Sequence, residues 1–181
     1  MLGHRKKDHS VKRVSFSVIG IVMWTCLIAP VAVTAGRTAD NASPIYGVTI
    51  PPGYRQWAMV APSHELGLHE LRVILGNPQA MDAYEKGALP YPDGTILAKL
   101  AWKQVPLVEG HEIVPDAFVP GPTTTVQFMV KNSKRYAVTG GWGFGRFIDG
   151  KPVDKAQHET CFSCHAAHAK GHDYVFTRYA P

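Results

Sequence analysis

The stretch Cys161-Phe162-Ser163-Cys164-His165, near the end of the chain, narrows the class of protein more than any other. Two thiols separated by two residues and followed directly by an imidazole form the attachment motif of a c-type haem. Each thiol can add to one vinyl group of the haem, and the adjacent imidazole can bind the iron. The motif therefore predicts one haem c, linked covalently through Cys161 and Cys164, with His165 as the metal ligand.

Two other interpretations of this motif are less consistent with the rest of the sequence. A thioredoxin-type redox pair would follow a strand early in an α/β chain, whereas this motif lies close to the C-terminus. A zinc site would need two further ligands, which His168 and His172 could supply only at awkward spacing. The third cysteine, Cys26, lies in an apolar N-terminal segment. Haem attachment is therefore the interpretation that we adopt.

The first 35 residues have the pattern of a secretory signal peptide. They carry five basic residues and one acidic residue, a net charge of +4, and then an apolar run over residues 14–33. Small residues before Gly36 predict cleavage after Ala35 and a periplasmic location. The alternative is an uncleaved membrane anchor, because about 20 apolar residues can span a bilayer.

Subtracting this segment changes the meaning of the net charge. The formal charge of +5 falls to +1 for residues 36–181 once the +4 of the first segment is removed. A nearly neutral chain gives no reason to expect a nucleic-acid partner. With 45% apolar and 18% charged residues, the chain has the composition of one compact domain. We expect a signal peptide over residues 1–35, a flexible segment over 36–44 and one haem domain over 45–181.

Hydrophobic patterning after residue 44 predicts a single α+β domain that is mostly antiparallel β. Asn77 followed by Pro78 indicates a helix start, so residues 78–86 form the clearest predicted helix. Apolar or alternating runs predict strands at 45–50, 54–60, 71–75, 95–103, 125–131, 135–139 and 173–179. A proline-rich loop is expected over 106–122. The glycine-rich run 140–147 is expected to form an apolar wall with close backbone approach.

Four of these features, in this order, resemble the cytochrome P-460 family. They are Asp93-Gly94-Thr95, Gly140-Gly141-Trp142-Gly143-Phe144, the haem motif, and Asp173-Tyr174-Val175-Phe176-Thr177-Arg178-Tyr179. The resemblance covers about residues 45–181. It implies a periplasmic, mostly antiparallel β protein that is often a homodimer. Members either oxidise hydroxylamine to nitrous oxide, with nitric oxide intermediates, or, as cytochromes c′-beta, bind nitric oxide without turnover.

The resemblance also implies roles for two residues in strands. In the hydroxylamine oxidisers one lysine forms an extra covalent bond to the porphyrin rim, and Lys99 is the matching residue here. The alternative is a solvated strand lysine like Lys103. Arg72 corresponds roughly to a family arginine that faces the bound ligand and could donate hydrogen bonds to it. The alternative is an ordinary surface arginine.

A proton relay is harder to assign. Some relatives carry an acid shortly before the haem motif, but the matching position here is Ala156. Glu159 and His158 are the candidate substitutes. We therefore predict a haem-dependent oxidoreductase acting on hydroxylamine, with Lys99, Arg72 and Glu159 as candidate catalytic residues.

The second axial position of the iron decides between this chemistry and electron transfer. We expect it to be vacant, which suits a small nitrogen-oxide ligand or substrate, with an electron-accepting cytochrome or similar protein as the redox partner. A methionine ligand would instead make an electron carrier. The methionines after residue 35 are Met59, Met81 and Met129.

Overall fold

The alternating runs of the sequence form one antiparallel sheet in which every strand pairs with its neighbours along the chain. The chain's computed structural model describes residues 40–107, 114 and 116–180, and within them the sheet has six strands. The strands are β1 Ala58–Glu65, β2 Glu70–Gly76, β3 Ile96–Pro106, β4 Phe118–Lys131, β5 Trp142–Ile148 and β6 Lys151–Pro152. The predicted α+β, mostly antiparallel single domain is confirmed.

Two α-helices flank the sheet, and each begins at a side chain that caps its first turn. The helix α1, Pro78–Glu85, begins after Asn77, whose side chain accepts a hydrogen bond from the Ala80 amide at 2.9 Å. The helix α2, Lys155–Ala169, begins after Asp154, whose carboxylate accepts from the Gln157 amide at 2.8 Å. Such caps satisfy amides that lack a partner within the helix. Short 3₁₀ helices lie at Tyr54–Gln56, Leu66–Leu68, Ala137–Thr139 and Lys170–His172.

Three predicted strands are wrong, and backbone geometry gives the reason for two of them. The stretch 45–50 is not a strand, because Ile45 and Gly47 have φ of 73° and 63°. The stretch 173–179 is not a strand either, because Asp173 and Tyr174 have φ of 48° and 64°. A left-handed residue interrupts the extended conformation that a ladder needs. The stretch 135–139 forms a turn and a 3₁₀ helix, in which the Tyr136 amide donates to Asn132 at 3.0 Å.

Other boundaries also differ from the prediction. The predicted strand 54–60 begins only at Ala58, after a 3₁₀ turn, and β4 already begins at Phe118 inside the predicted loop. The glycine-rich run 140–147 forms most of β5. The packed region begins before residue 45, since Ser43 is 3% exposed and its hydroxyl donates to the Phe144 carbonyl at 2.9 Å. The predicted signal peptide lies outside the described residues. Within the described residues, no helix has the length and apolarity to cross a membrane.

One face of the sheet positions the site, and we name it the cavity face. Its residues follow from strand register, because partners across an antiparallel ladder point to the same side. The helix α2 lies over this face, with the Phe144 ring centroid 6.4 Å from that of Phe162 and 5.1 Å from that of His165. The cavity face comprises Arg72, Ile74, Leu97, Lys99, Ala101, Thr125, Gln127, Met129, Phe144 and Arg146.

Candidate functional site

A cavity of about 590 Å³ separates the cavity face from α2 and the C-terminal segment. This volume lies within the range of typical cofactor pockets, roughly 300–1,000 Å³. Its apolar walls include Leu97, Phe128, Met129, Phe144, Val175 and Phe176. Its polar lining includes most of the predicted site residues, namely Arg72, Lys99, Cys161, Cys164 and His165, and also Glu65, Glu70, Arg146 and His168.

The helix α2 presents the haem motif to this cavity. Cys164 and His165 follow Cys161 by three and four residues, so all three side chains lie on one side of the helix. Both thiols are free, with Cys161 partly buried and Cys164 exposed. Burial raises the pKa of the Cys161 thiol, whose sulfur lies 3.7 Å from the Gln157 carbonyl. Because both thiols and the imidazole line one cavity, the thiols can form covalent bonds to one edge of a planar ligand in that cavity.

The orientation of His165 leaves one ring nitrogen free for a metal. Its Nδ1 lies 2.7 Å from the backbone carbonyl of Tyr174, so Nδ1 carries the proton and donates it. The other nitrogen, Nε2, is then unprotonated and can act as a ligand. The ring packs between Phe144 and Phe176, at centroid distances of 5.1 and 4.8 Å. Burial lowers the pKa of His165, which favours the neutral form that binds metals.

Two lysines of β3 lie on the same face but in different surroundings. Lys103 is exposed and donates to the Leu68 carbonyl at 2.9 Å. Lys99 lines the cavity, and none of the ion pairs in the described part of the chain includes it. Burial, followed by the positive charge of Arg72, lowers the pKa of Lys99 from 10.5 to about 8. The Lys99 amine is therefore deprotonated more readily than an ordinary lysine amine.

Arg72 lines the cavity but is held by two carboxylates. Its Nε and Nη2 donate to Glu70 at 2.9 and 2.6 Å, and its Nη1 donates to Glu65 at 3.2 Å. Glu70 is 7% exposed and also accepts from the Thr124 hydroxyl at 2.7 Å. Burial raises the pKa of Glu70, but the hydrogen bonds from Thr124 and Arg72 outweigh it and leave that pKa lowered. The network fixes the guanidinium and keeps Glu70 ionised.

Arg146 is a cavity residue that the sequence analysis missed. It lies within the glycine-rich run 140–147, and only its register in β5, opposite Gln127, reveals that it faces the same side as Lys99. Its Nε is buried and has no hydrogen-bond partner within the described residues. An unsatisfied buried donor costs roughly 1–3 kcal/mol, so an acceptor supplied by a bound group would remove that cost.

The predicted relay residues do not join the cavity. Glu159 is half exposed and pairs with Lys155 at 3.5 Å on the outer side of α2. His158 is fully buried, but both ring nitrogens are in use: Nε2 accepts from the Arg146 amide at 3.1 Å, and Nδ1 donates to the Asp154 carbonyl at 2.9 Å. The structure therefore does not bring Glu159 together with Lys99 and the haem motif.

The methionines after residue 35 also differ in whether they line the cavity. Met129 lines the cavity. Met59 is 52% exposed on β1, and Met81 packs against the core from α1. Within the described residues, Met129 is thus the methionine that remains a candidate axial ligand.

The residues of this site fit a c-type haem. The cavity is large enough and has apolar walls, a thiol pair opens on it, and His165 offers its Nε2. The buried Nε of Arg146 has no acceptor within the described residues. The sequence model of cytochrome P460 matches residues 51–177, which is most of the chain. No curated protein matches the chain significantly. The chain thus belongs to the cytochrome P460 family and is a c-type haem cytochrome.

Proposed function

We propose that this cytochrome oxidises hydroxylamine to nitrous oxide, with nitric oxide intermediates, at one haem linked through Cys161 and Cys164 and ligated by His165. The observation that carries the proposal is the position of Lys99, a lysine with a lowered pKa that lines the same cavity as the haem motif. When bound, the haem supplies a redox-active iron that binds small nitrogen oxides and passes electrons on.

The surroundings of Lys99 favour a reaction of its amine with a ring carbon. An amine attacks only when it is neutral, and with a pKa of about 8 roughly a tenth of Lys99 is neutral at pH 7. A buried ammonium without an ion-pair partner is also costly. A covalent bond from Nζ to the porphyrin rim would remove the charge permanently, which is why Lys99 supports the hydroxylamine-oxidising branch.

The other cavity residues orient and enclose a small substrate. Phe144 and Phe176 pack against the His165 ring and fix its orientation. The Nε–H of Arg146, which has no partner in the described part of the chain, can donate to an oxygen atom in the cavity. The guanidinium of Arg72 uses three N–H groups on Glu65 and Glu70, which leaves two of its five for a ligand.

A nitric-oxide-binding cytochrome c′-beta is the second candidate, and the acids of the cavity favour it. Oxidation of hydroxylamine releases protons, which need an acceptor. In the described part of the cavity lining, the carboxylates are Glu65 and Glu70, and both are bonded to Arg72. A protein that only binds nitric oxide needs no proton acceptor. An electron carrier is a third and weaker candidate, for which Met129 would be the axial ligand.

Location and partners complete the proposal. A signal peptide over residues 1–35 would direct the chain to the periplasm, or anchor it to the membrane if it is not cleaved. Hydroxylamine oxidation needs an electron acceptor, and a small cytochrome or similar redox protein of the same compartment is the expected class.

Intact mass and the optical spectrum test the proposal in the purified haem protein. Thioether formation adds the full mass of the haem. A bond from Lys99 Nζ to a ring carbon replaces one N–H and one C–H, a two-electron oxidation that removes two hydrogen atoms and needs an oxidant such as peroxide. We expect wild type to be lighter by that amount, to show a red-shifted Soret band when reduced, and to oxidise hydroxylamine.

The matched variants are Lys99→Met and Lys103→Met, which change the same residue type on the same face of β3. Lys99→Met should lose the mass deficit, the red shift and the turnover, and Lys103→Met should keep all three. A wild-type mass that equals the chain plus haem, with no effect of Lys99→Met, would make the nitric-oxide-binding alternative the first candidate.

A further inference from the structure

The acceptor for His165 lies in a segment with unusual backbone geometry. The Tyr174 carbonyl accepts the Nδ1–H of His165 at 2.7 Å. Asp173 and Tyr174 are successive left-handed residues, with φ of 48° and 64°. A non-glycine residue in this conformation is strained, so the surrounding structure must hold both in place.

A buried ion pair holds this segment. The Nζ of Lys131 lies 2.8 Å from both carboxylate oxygens of Asp173, and the two side chains are 6% and 10% exposed. One of these oxygens also accepts from the Tyr91 amide at 2.9 Å. The backbone carbonyl of Asp173 accepts from Trp142 Nε1 at 2.8 Å. Asp173 is thus fixed at its side chain and at its backbone.

Lys131, at the end of β4, is itself held by contacts with the turn before β5 and with the start of β5. Its Nζ donates to the Gly140 carbonyl at 3.0 Å and lies 4.9 Å from the centroid of the Trp142 ring. Gly140 also has to be a glycine, because a Cβ there would overlap the Tyr174 ring. The contacts therefore run without a gap from the sheet to the Tyr174 carbonyl and then to His165.

We propose that Lys131 and Asp173 are positioning residues that set the strength of the hydrogen bond from His165 to Tyr174, and through it the electron donation of His165 to the iron. Neither residue lines the cavity. A stronger acceptor on Nδ1 makes the imidazole a better donor at Nε2, which lowers the reduction potential of the metal. The inference rests on the proposed role of His165 as the iron ligand.

Variants that change the net charge in opposite directions test this inference. Asp173→Asn removes the negative charge opposite Lys131 and replaces one of the two oxygens that accept from its Nζ by an amide NH2, whereas Lys131→Met removes the ammonium that faces both oxygens of Asp173. In the ferrous haem protein, we expect both variants to lower the iron–histidine stretching frequency in the resonance Raman spectrum and to raise the reduction potential. Trp142→Phe, which is neutral in charge and keeps a large ring, should shift both in the same direction if either charge variant fails to fold.

The control is Asp93→Asn, which removes the same charge from a carboxylate whose hydrogen-bond partners, within the described residues, are the Ser133 amide and hydroxyl, each at 2.8 Å. It should leave the stretching frequency unchanged. Potentials that move in opposite directions in Asp173→Asn and Lys131→Met, with an unmoved frequency, would reduce the pair to a distant charge effect and overturn the inference. An unchanged stretching frequency and an unchanged reduction potential in Asp173→Asn, Lys131→Met and Trp142→Phe would overturn it as well.

Failure of the ligand assignment would look different. His165→Ala should abolish the iron–histidine band. If the band persists in that variant, His165 is not the ligand and the proposed site fails. If the band is lost there but is insensitive to Asp173→Asn, Lys131→Met and Trp142→Phe, only the positioning inference fails.

Discussion

At the scale of single residues, burial separates two lysines that the sequence alone treats as equals. Lys99 and Lys103 are four positions apart on one face of β3, and alternation predicts the same orientation for both. The difference comes from what covers them: Lys99 faces a cavity that α2 closes, and Lys103 reaches a loop carbonyl at the exposed end of the strand. The pattern of residues along β3 does not show which part of the strand another element covers.

The lowered pKa of Lys99 makes stability depend on pH. The folded chain loses this proton near pH 8 and the unfolded chain near pH 10.5, so between these values the unfolded state binds more protons. The free energy of unfolding should therefore rise with pH across this window. In haem-free protein, Lys99→Met should raise stability at pH 7 by up to about 3 kcal/mol, and the gain should vanish near pH 10.5.

Urea unfolding of the haem-free chain at pH 7 and pH 10 measures this effect. Lys103→Met is the control, because Lys103 is exposed, and its effect should be small at both values. An effect of Lys99→Met that is the same at both pH values would show that Lys99 is not a buried ammonium.

At the scale of elements, one histidine connects α2 to the sheet. His158 lies in the first half of α2, and its Nε2 accepts the backbone N–H of Arg146 in β5. Its Nδ1 donates to the carbonyl of Asp154, the residue that also caps the helix. His158, which the sequence analysis named as a candidate relay residue, therefore connects the helix that carries the haem motif to the sheet.

Replacing His158 by leucine should destabilise the protein. The Arg146 amide would lose its acceptor at a buried contact between elements, at a cost of roughly 1–3 kcal/mol. Thermal unfolding of the haem protein, followed by circular dichroism, measures this. His168→Leu changes an exposed histidine of the same helix and should cost much less. Equal losses of stability in the two variants would show that the bond to Arg146 contributes nothing.

At the scale of the whole molecule, the sequence predicts local features well and their assembly poorly. The cap at Asn77 and the alternation around Lys99 are local, and each predicted the element that the structure contains. The helix α2 around the haem motif was not predicted. The closing segment looked like a strand because its side chains alternate, but its backbone is committed to distant partners. The carbonyl of Asp173 bonds Trp142, and that of Tyr174 bonds His165.

The same distinction explains why Arg146 was missed and Glu159 was chosen. Arg146 became a cavity residue only through the pairing of β5 with β4. Glu159 was chosen for its nearness to the cysteines along the chain, yet the turn of α2 carries it to the opposite, exposed side. Which residues share a cavity depends on register and on helix rotation, and neither can be read from a count along the sequence.

The proposed haem attachment can be tested directly at this scale, because Cys161, Cys164 and His165 all line the cavity between the sheet and α2. Thioether bonds survive acidified acetone, whereas coordination by His165 does not. Wild-type protein should therefore precipitate from acidified acetone with its haem still bound, and the variant Cys161→Ala/Cys164→Ala should release its haem into the acetone. His165→Ala should keep the haem but change the spin state of the iron, since the bonds to carbon remain and the axial ligand is lost. Haem that leaves wild-type protein under these conditions would contradict the covalent site.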